Sequence, residues 1–375
     1  MEPRRFFDPP LQVVIPPRPR NAGVLGPRLL EILDSGNYKF GHRWTVELTE
    51  RVAALLGLGP DRELLPTVSG TAALRLAAVT LRASYPVKGR PATAVLPSFT
   101  FAATGEFLRQ LGYELLFCDV DPRTWTMDPE ELALILRNYP VDLVVCVDAL
   151  GNPADYTALA ALCRDAGVSL LADSASALGA RHRAVPVGTQ ADAHAFSMSM
   201  AKVVSAAGAG GFAVLPAGSR QRLEHDENWI RSSLMTETNA VVALDQLDDL
   251  TGLLARRAAV AEVYAAATRS VPGLSLQGVR PGDTSSWVHT VVRVQSPHDR
   301  DMVATRLAQF GIETKPYYAP PLHTFLPHRD SNAALPETEA LGREVLALPV
   351  SSEMSVHDAE LVAEALGVVT RVEGW

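Results

Sequence analysis

Val168-Ser-Leu-Leu-Ala-Asp173, and further on Phe196-Ser-Met-Ser-Met-Ala-Lys202 with its small-residue tail Val203 to Gly211, decide how this chain is read. The first segment is a continuous apolar run that stops on a carboxylate, the pattern of a strand buried on both faces. The second delivers one lysine among small and apolar residues. Desolvation lowers the pKa of such an amine and makes it nucleophilic near neutral pH. A lysine able to form a Schiff base and an acid able to keep a pyridine nitrogen protonated are what pyridoxal phosphate (PLP) chemistry requires. Lys202 and Asp173 are therefore the first catalytic candidates, and their separation (202 − 173 = 29) leaves room for one or two further strands. Taken singly, each has a plainer reading: lysines often end strands by reaching into water, and an aspartate after Leu-Leu-Ala is a common turn or helix cap.

The segments upstream repeat one pattern. Leu64–Ser69, Ala92–Leu96, Glu114–Asp119 and Leu143–Asp148 are short buried-strand runs, separated by helical stretches. Those stretches begin at Gly70 and cover Ala102–Leu111, Asp128–Asn138 and Tyr156–Ala166. Such alternation predicts an α/β fold, a mostly parallel sheet flanked by helices. Ligands gather at the carboxyl ends of such strands, where Ser69, Phe101 and Asp173 all fall. Ser69-Gly-Thr71 places N–H groups and a hydroxyl at a helix N-terminus, an arrangement that suits a phosphate, although serine and threonine also cap helices with no ligand. Either phenylalanine of Pro97-Ser-Phe-Thr-Phe101 could stack on a planar ring or simply pack in the core.

Residues 1–20, rich in proline and arginine, read as an extended arm rather than a packed element. Helices follow at about Gly26–Ser35 and at Trp44–Leu56. Beyond Phe212–Leu215 comes one long helical run from Asn239 to about Thr268, then a strand-like Trp287–Val294 and a helix at Met302–Phe310. A stiff aromatic loop, Lys315–His323, precedes Val345–Val350 and the helix Val356–Leu366, which complete a smaller C-terminal α+β domain. The expected division is an arm (1–20), a large PLP-binding α/β domain (21–245), and a linking helix with the small domain (246–375).

Composition narrows the class. The 375 residues, 47% hydrophobic and 20% charged, suit a globular enzyme. A net charge of −8 disfavours nucleic acid but not an anion held by backbone N–H groups. Cys118, Cys146 and Cys163 fit neither a zinc site nor a disulfide framework and read as free buried thiols. The histidines show no metal-type spacing, so no metal is expected. His298 and His357 read as surface residues, and His323 as a substrate-loop or interface residue. No apolar leader and no membrane-length run are present in the sequence, which predicts a cytoplasmic protein.

Ser69-Gly-Thr71, Leu96 to Phe101, Gly151-Asn-Pro-Ala-Asp155, Asp173 with Lys202, Asp245-Gln-Leu247, Tyr317 to His323 and Leu348-Pro-Val350 stand in a telling order. Over nearly the whole chain it resembles the DegT–StrS family of fold-type I, aspartate-aminotransferase-like, PLP-dependent sugar aminotransferases. The resemblance implies that Lys202 forms the Schiff base and shuttles the proton, and that Asp173 holds the pyridine nitrogen. It implies that Gly70, Thr71, Ala72 and Ser197 bind the cofactor phosphate, that Phe101 stacks on the ring (with Phe99 second), and that Tyr317 and His323 face substrate. It also implies a homodimer with interface active sites, moving an amino group from L-glutamate or L-glutamine to a keto-sugar nucleotide or keto-cyclitol in secondary-metabolite or cell-surface biosynthesis. Three positions depart from the pattern. Ser176, which the resemblance places among the cofactor-binding residues, replaces a Gln or His that touches the ring-hydroxyl side, and Ala209-Gly-Gly211 replaces Glu-Gly-Gly. Leu234 replaces an Asn that reaches the partner's phosphate, with Arg231, Ser232 and Ser233 as nearby substitutes. Other carbanion chemistry on the same fold (elimination, racemisation or C–C bond formation) and a non-catalytic scaffold are the alternatives. The dehydratase branch, with His for Lys, is disfavoured by Lys202.

Overall fold

The structure, a computed structural model, describes residues 5–82, 89–223, 227–296, 298–326 and 334–371. The strands in chain order begin with β1 (Arg62–Thr67), β2 (Ala92–Pro97), β3 (Tyr113–Cys118), β4 (Leu143–Val147) and β5 (Ser169–Asp173). A two-residue ribbon follows, β6 (Arg181–His182) with β7 (Val185–Pro186), then β8 (Ala193–Ser197) and β9 (Gly211–Pro216). Seven of these form one sheet in the order β1-β9-β8-β5-β4-β2-β3. Strands β8, β5, β4, β2 and β3 are parallel, and β9 runs against both of its neighbours. The carboxyl ends of β1, β2, β4, β5 and β8 therefore share one edge.

The sheet is mostly parallel because its strands are apolar on both faces. Every residue of β2, β4, β5 and β8 is buried. Alternate side chains enter opposite cores, as a period of two requires. Val144, Cys146, Leu170 and Ala172 enter one, and Leu143, Val145 and Leu171 the other. Helices Gly70–Arg82, Ala103–Gln110, Pro129–Asn138 and Tyr156–Ala166 make the crossovers. The last is capped by the Asp155 side chain on Ala158 N and ends where Gly167 turns left-handed (φ 67).

The C-terminal part carries an antiparallel sheet of β10 (Leu274–Leu276), β11 (Thr290–Val294) and β12 (Val345–Leu348). Helices Leu250–Arg269, Arg300–Gln309 and Val356–Arg371 share its core through Val260, Tyr264, Leu307 and Leu366.

Three expectations change. The long run from Asn239 is two helices, Glu237–Leu247 and Leu250–Arg269, because Asp249 (φ −115, ψ 20) leaves the helical region between them. The strand expected from Trp287 starts at Thr290, because Trp287 has a left-handed φ of 50. The arm contains no helix over residues 5–20, as expected, yet it is packed: Leu11 N donates to Gly311 O (2.8 Å) and Glu313 N to Leu11 O (2.9 Å). Phe6 packs on Phe310, and the Asp245 carboxylate takes the N–H groups of Arg20 and Asn21. Its few apolar residues outweigh the proline-rich composition once they find an apolar surface.

The three cysteines are buried free thiols. Among the described residues no helix is long and apolar enough to cross a membrane, and no His/Cys/Asp/Glu group could hold a metal.

Candidate active site

A cleft of about 370 Å3 opens where the strands end. Asp173, last residue of β5, is buried; Thr104 Oγ1 donates to its Oδ2 (2.7 Å) and Ala175 N–H to its Oδ1 (3.2 Å). Burial raises its pKa; the Thr104 and Ala175 bonds and the Lys202 charge pull the other way. Lys202 rises from a turn closed by its own N–H on Ser199 O (3.0 Å), and its Nζ donates to Ser176 Oγ (2.9 Å). Burial lowers the amine to about 8, against the pull of Asp173. At that value roughly one amine in ten is neutral at pH 7, against about one in three thousand at the ordinary lysine value.

The end of β1 feeds helix Gly70–Arg82, and Ser69 Oγ caps it by accepting from Ala72 N (3.1 Å). That N–H is thereby committed within the protein, while Gly70 and Thr71 line the cleft beside Ser197. A Cβ on Gly70 would lie 2.8 Å from Ser197 Cβ, and one on Gly211 would collide with Phe196 O, so both glycines permit close backbone approach. Phe101 lines the cleft and is 63% exposed. Phe99 is fully buried, edge-on to Trp125 and Tyr318.

The C-terminal part closes the cleft with His289, Tyr317 and Tyr318. His289 is held neutral: burial above all, then the cations Lys202, Arg257 and Lys315, push it well below the usual histidine value. Its backbone N–H donates to Leu150 O (3.3 Å), and its ring packs 4.7 Å from Tyr317. Buried Arg257 donates to the carbonyls of Trp287 (3.3 Å) and Val288 (3.1 Å) just before it.

A model of the DegT/DnrJ/EryC1/StrS aminotransferase family matches residues 26–367. The chain belongs to that family. The erythromycin biosynthesis sensory transduction protein EryC1 of Saccharopolyspora erythraea is 31% identical over 296 residues, 74% of this chain and 79% of that protein. The dTDP-4-dehydro-2,3,6-trideoxy-D-glucose 4-aminotransferase of Saccharopolyspora spinosa is 28% identical over 335 residues, 82% of this chain and 84% of that protein. The crystal structure of DesI in the presence of its TDP-sugar product superposes with a TM-score of 0.86 at 29% identity, covering 98% of this chain and 95% of that one.

This aminotransferase is PLP-dependent and of fold type I. Its residues fit the cofactor. A desolvated lysine and a buried acid face one cleft, and a helix N-terminus without side-chain bulk provides the positive end that a phosphate dianion needs.

The sequence candidates divide. Lys202, Asp173, Gly70, Thr71, Ser176, Ser197, Phe101 and Tyr317 come together in the cleft. Ala72 and His323 are not among the residues lining it. His323 bonds Ser98 through both its N–H and its Nδ1, and sets its ring edge-on to Phe117. Leu234 and Arg231 line a separate cleft of about 760 Å3 and are not among the residues lining the first. Ala209 N donates to Ala206 O in the turn after the lysine. His225 and His328 lie outside the described residues. Sequence reading missed Thr104, Asp148, His289 and Tyr318, all of which shape the site. His289 had a signal, a polar residue within an apolar strand-like run; Thr104 had none.

Proposed function

We propose that this aminotransferase moves an amino group from L-glutamate or L-glutamine to the carbonyl carbon of a keto-sugar nucleotide, keto-cyclitols being the second acceptor class. The observation that carries the reading is the desolvated Lys202 amine in one cleft with buried Asp173. Sugar-nucleotide work is named for the Saccharopolyspora spinosa relative and in the DesI structure, which supports that acceptor class and a place in secondary-metabolite or cell-surface biosynthesis.

Bound PLP supplies the electron sink that makes the substrate Cα proton removable. Lys202 Nζ would carry that proton between Cα and C4′, a role suited to an amine near neutrality. Asp173 would face the ring nitrogen, its carboxylate fixed by Thr104 and Ala175. Gly70, Thr71 and Ser197 would take the phosphate, Phe101 would cover the ring, and Tyr317 would face substrate with His289. His323 would act from behind, by fixing Ser98. In this reading residues 21–245 hold the cofactor, and the remainder after 245 closes over the substrate.

A homodimer with interface active sites is part of the proposal. Phe101 (63%) and Met200 (52%) stay exposed, one in the cleft and the other two residues before Lys202, and Leu30 (59%) and Leu33 (56%) on helix Ala22–Ser35 face outward, apolar surface that a second copy would cover. Free thiols support a reducing compartment, the cytoplasm.

The test is spectroscopic. Adding L-glutamate or L-glutamine to the purified holoenzyme should bleach the visible cofactor band and release the matching keto acid. A nucleotide keto-sugar should then restore the band. A band indifferent to both donors would refute the donor assignment, and light scattering that gives a monomer would refute the dimer.

A further inference from the structure

Ser176 sits three residues after Asp173, and its hydroxyl is 2.9 Å from Lys202 Nζ. Its main chain is gripped from the C-terminal part: Ser286 Oγ donates to Ser176 O (2.5 Å) and Ser286 N to Gly151 O (3.0 Å). Gly151 has φ 103, and a Cβ there would collide with Ser286 Oγ, so a side chain at 151 would break the grip. The residue after Ser286, Trp287, is held in a left-handed conformation, and Arg257 fixes the carbonyls of Trp287 and Val288. These contacts fix the main chain from which the short Ser176 side chain reaches Lys202 Nζ.

A hydroxyl serves a lysine in both its forms, accepting from the ammonium and donating to the lone pair of the neutral amine. An ionised carboxylate has no proton to give to that lone pair. We propose that Ser176 is a positioning residue: its hydroxyl holds the Lys202 amine in place through each proton transfer, and Ser286 holds Ser176. The inference rests on the reading of Lys202 as the proton carrier. Asp173, Arg257, His289, Asp148, Tyr317 and Tyr318 also face this region, and substitution at 176 leaves all of them in place.

The test compares Ser176→Ala, Ser176→Thr and Ser286→Ala in the full-length chain. After cofactor removal, acetic anhydride labelling of Lys202 as a function of pH, read by peptide mass spectrometry, gives the midpoint of the amine. A bond to the charged form is the stronger one, so Ser176→Ala should lower the midpoint by about one unit, Ser286→Ala by less, and Ser176→Thr not at all. In the holoenzyme, exchange of the L-glutamate Cα proton with solvent deuterium should slow about tenfold in Ser176→Ala. Glutamate KM and cofactor affinity should stay as in the wild type. An unchanged midpoint overturns the proposal. So does an unchanged midpoint with weakened cofactor binding, which would put Ser176 against the cofactor instead. A wild type that exchanges nothing with L-glutamate or L-glutamine overturns the donor reading, and the labelling midpoint still decides the role of Ser176.

Discussion

Replacing Thr104 by valine removes one oxygen and keeps the volume. That oxygen donates to Asp173 Oδ2 at 2.7 Å and lies 3.0 Å from Thr100 Oγ1, in a fully buried setting. A hydrogen bond to a charged group contributes about 1.5–3 kcal/mol, and one pKa unit corresponds to about 1.4 kcal/mol. Asp173, already raised by burial, should therefore rise further, with Ala175 N–H left on the other oxygen. The unfolded-state pKa is unchanged, so the extra penalty is complete where the folded carboxylate is ionised and fades as pH falls through its raised pKa. Urea unfolding should show the variant about 1.5–3 kcal/mol less stable than wild type at pH 8, with a smaller gap at pH 5. Fluorescence titration should show PLP binding weakening at a higher pH in the variant than in wild type as pH falls, because Asp173 loses its carboxylate form earlier. Thr104→Ser, which keeps the hydroxyl, should behave as wild type. Valine and threonine proteins equal in stability at both pH values and in PLP affinity would refute the assignment of Thr104 as the support of Asp173.

The two phenylalanines at the end of β2 should separate: Phe99→Ala should cost about 3–5 kcal/mol in denaturant unfolding, whereas exposed Phe101→Ala should leave stability nearly untouched and weaken PLP retention. Buried His194, held at about 3 by burial with Ser174 on Nδ1 and Ala191 N–H on Nε2, is depressed below its unfolded value. Its neutral form is what folding keeps, so its contribution is lost as pH falls. Between pH 7 and pH 4 wild type should lose roughly 3 kcal/mol more stability than His194→Gln; parallel unfolding curves would contradict this. Arg257→Met should leave the Trp287 and Val288 carbonyls unpaired, costing about 2–4 kcal/mol in thermal unfolding. It should also raise the Lys202 midpoint, since that cation now lowers it.

How much of this was legible beforehand follows from where the information resides. Strand β5 and its terminal Asp173 were readable because a strand buried on both faces must be apolar throughout, and the acid breaks that run. The Ser69-Gly-Thr71 junction was readable because caps and glycines carry local signals. Thr104 was not, because only the packing of helix Ala103–Gln110 against β5 turns that hydroxyl onto Asp173. The aromatic loop carrying His323 was readable, but not the direction of that side chain, which depends on Ser98, far away in sequence. Trp287 and Asp249 broke periodic patterns through backbone conformations that neither residue type announces. The arm shows the same limit, since composition reports chain stiffness and not the surface it will meet.

Every step proposed for this enzyme depends on Lys202 holding the cofactor. The chain has four lysines, Lys39, Lys88, Lys202 and Lys315, so covalent labelling can be assigned without ambiguity. Borohydride reduction of the PLP-loaded protein, followed by peptide mass spectrometry, should place the pyridoxyl label on the Lys202 peptide alone and abolish it in Lys202→Ala. A label on Lys39, Lys88 or Lys315, or one that persists in Lys202→Ala, would contradict the account.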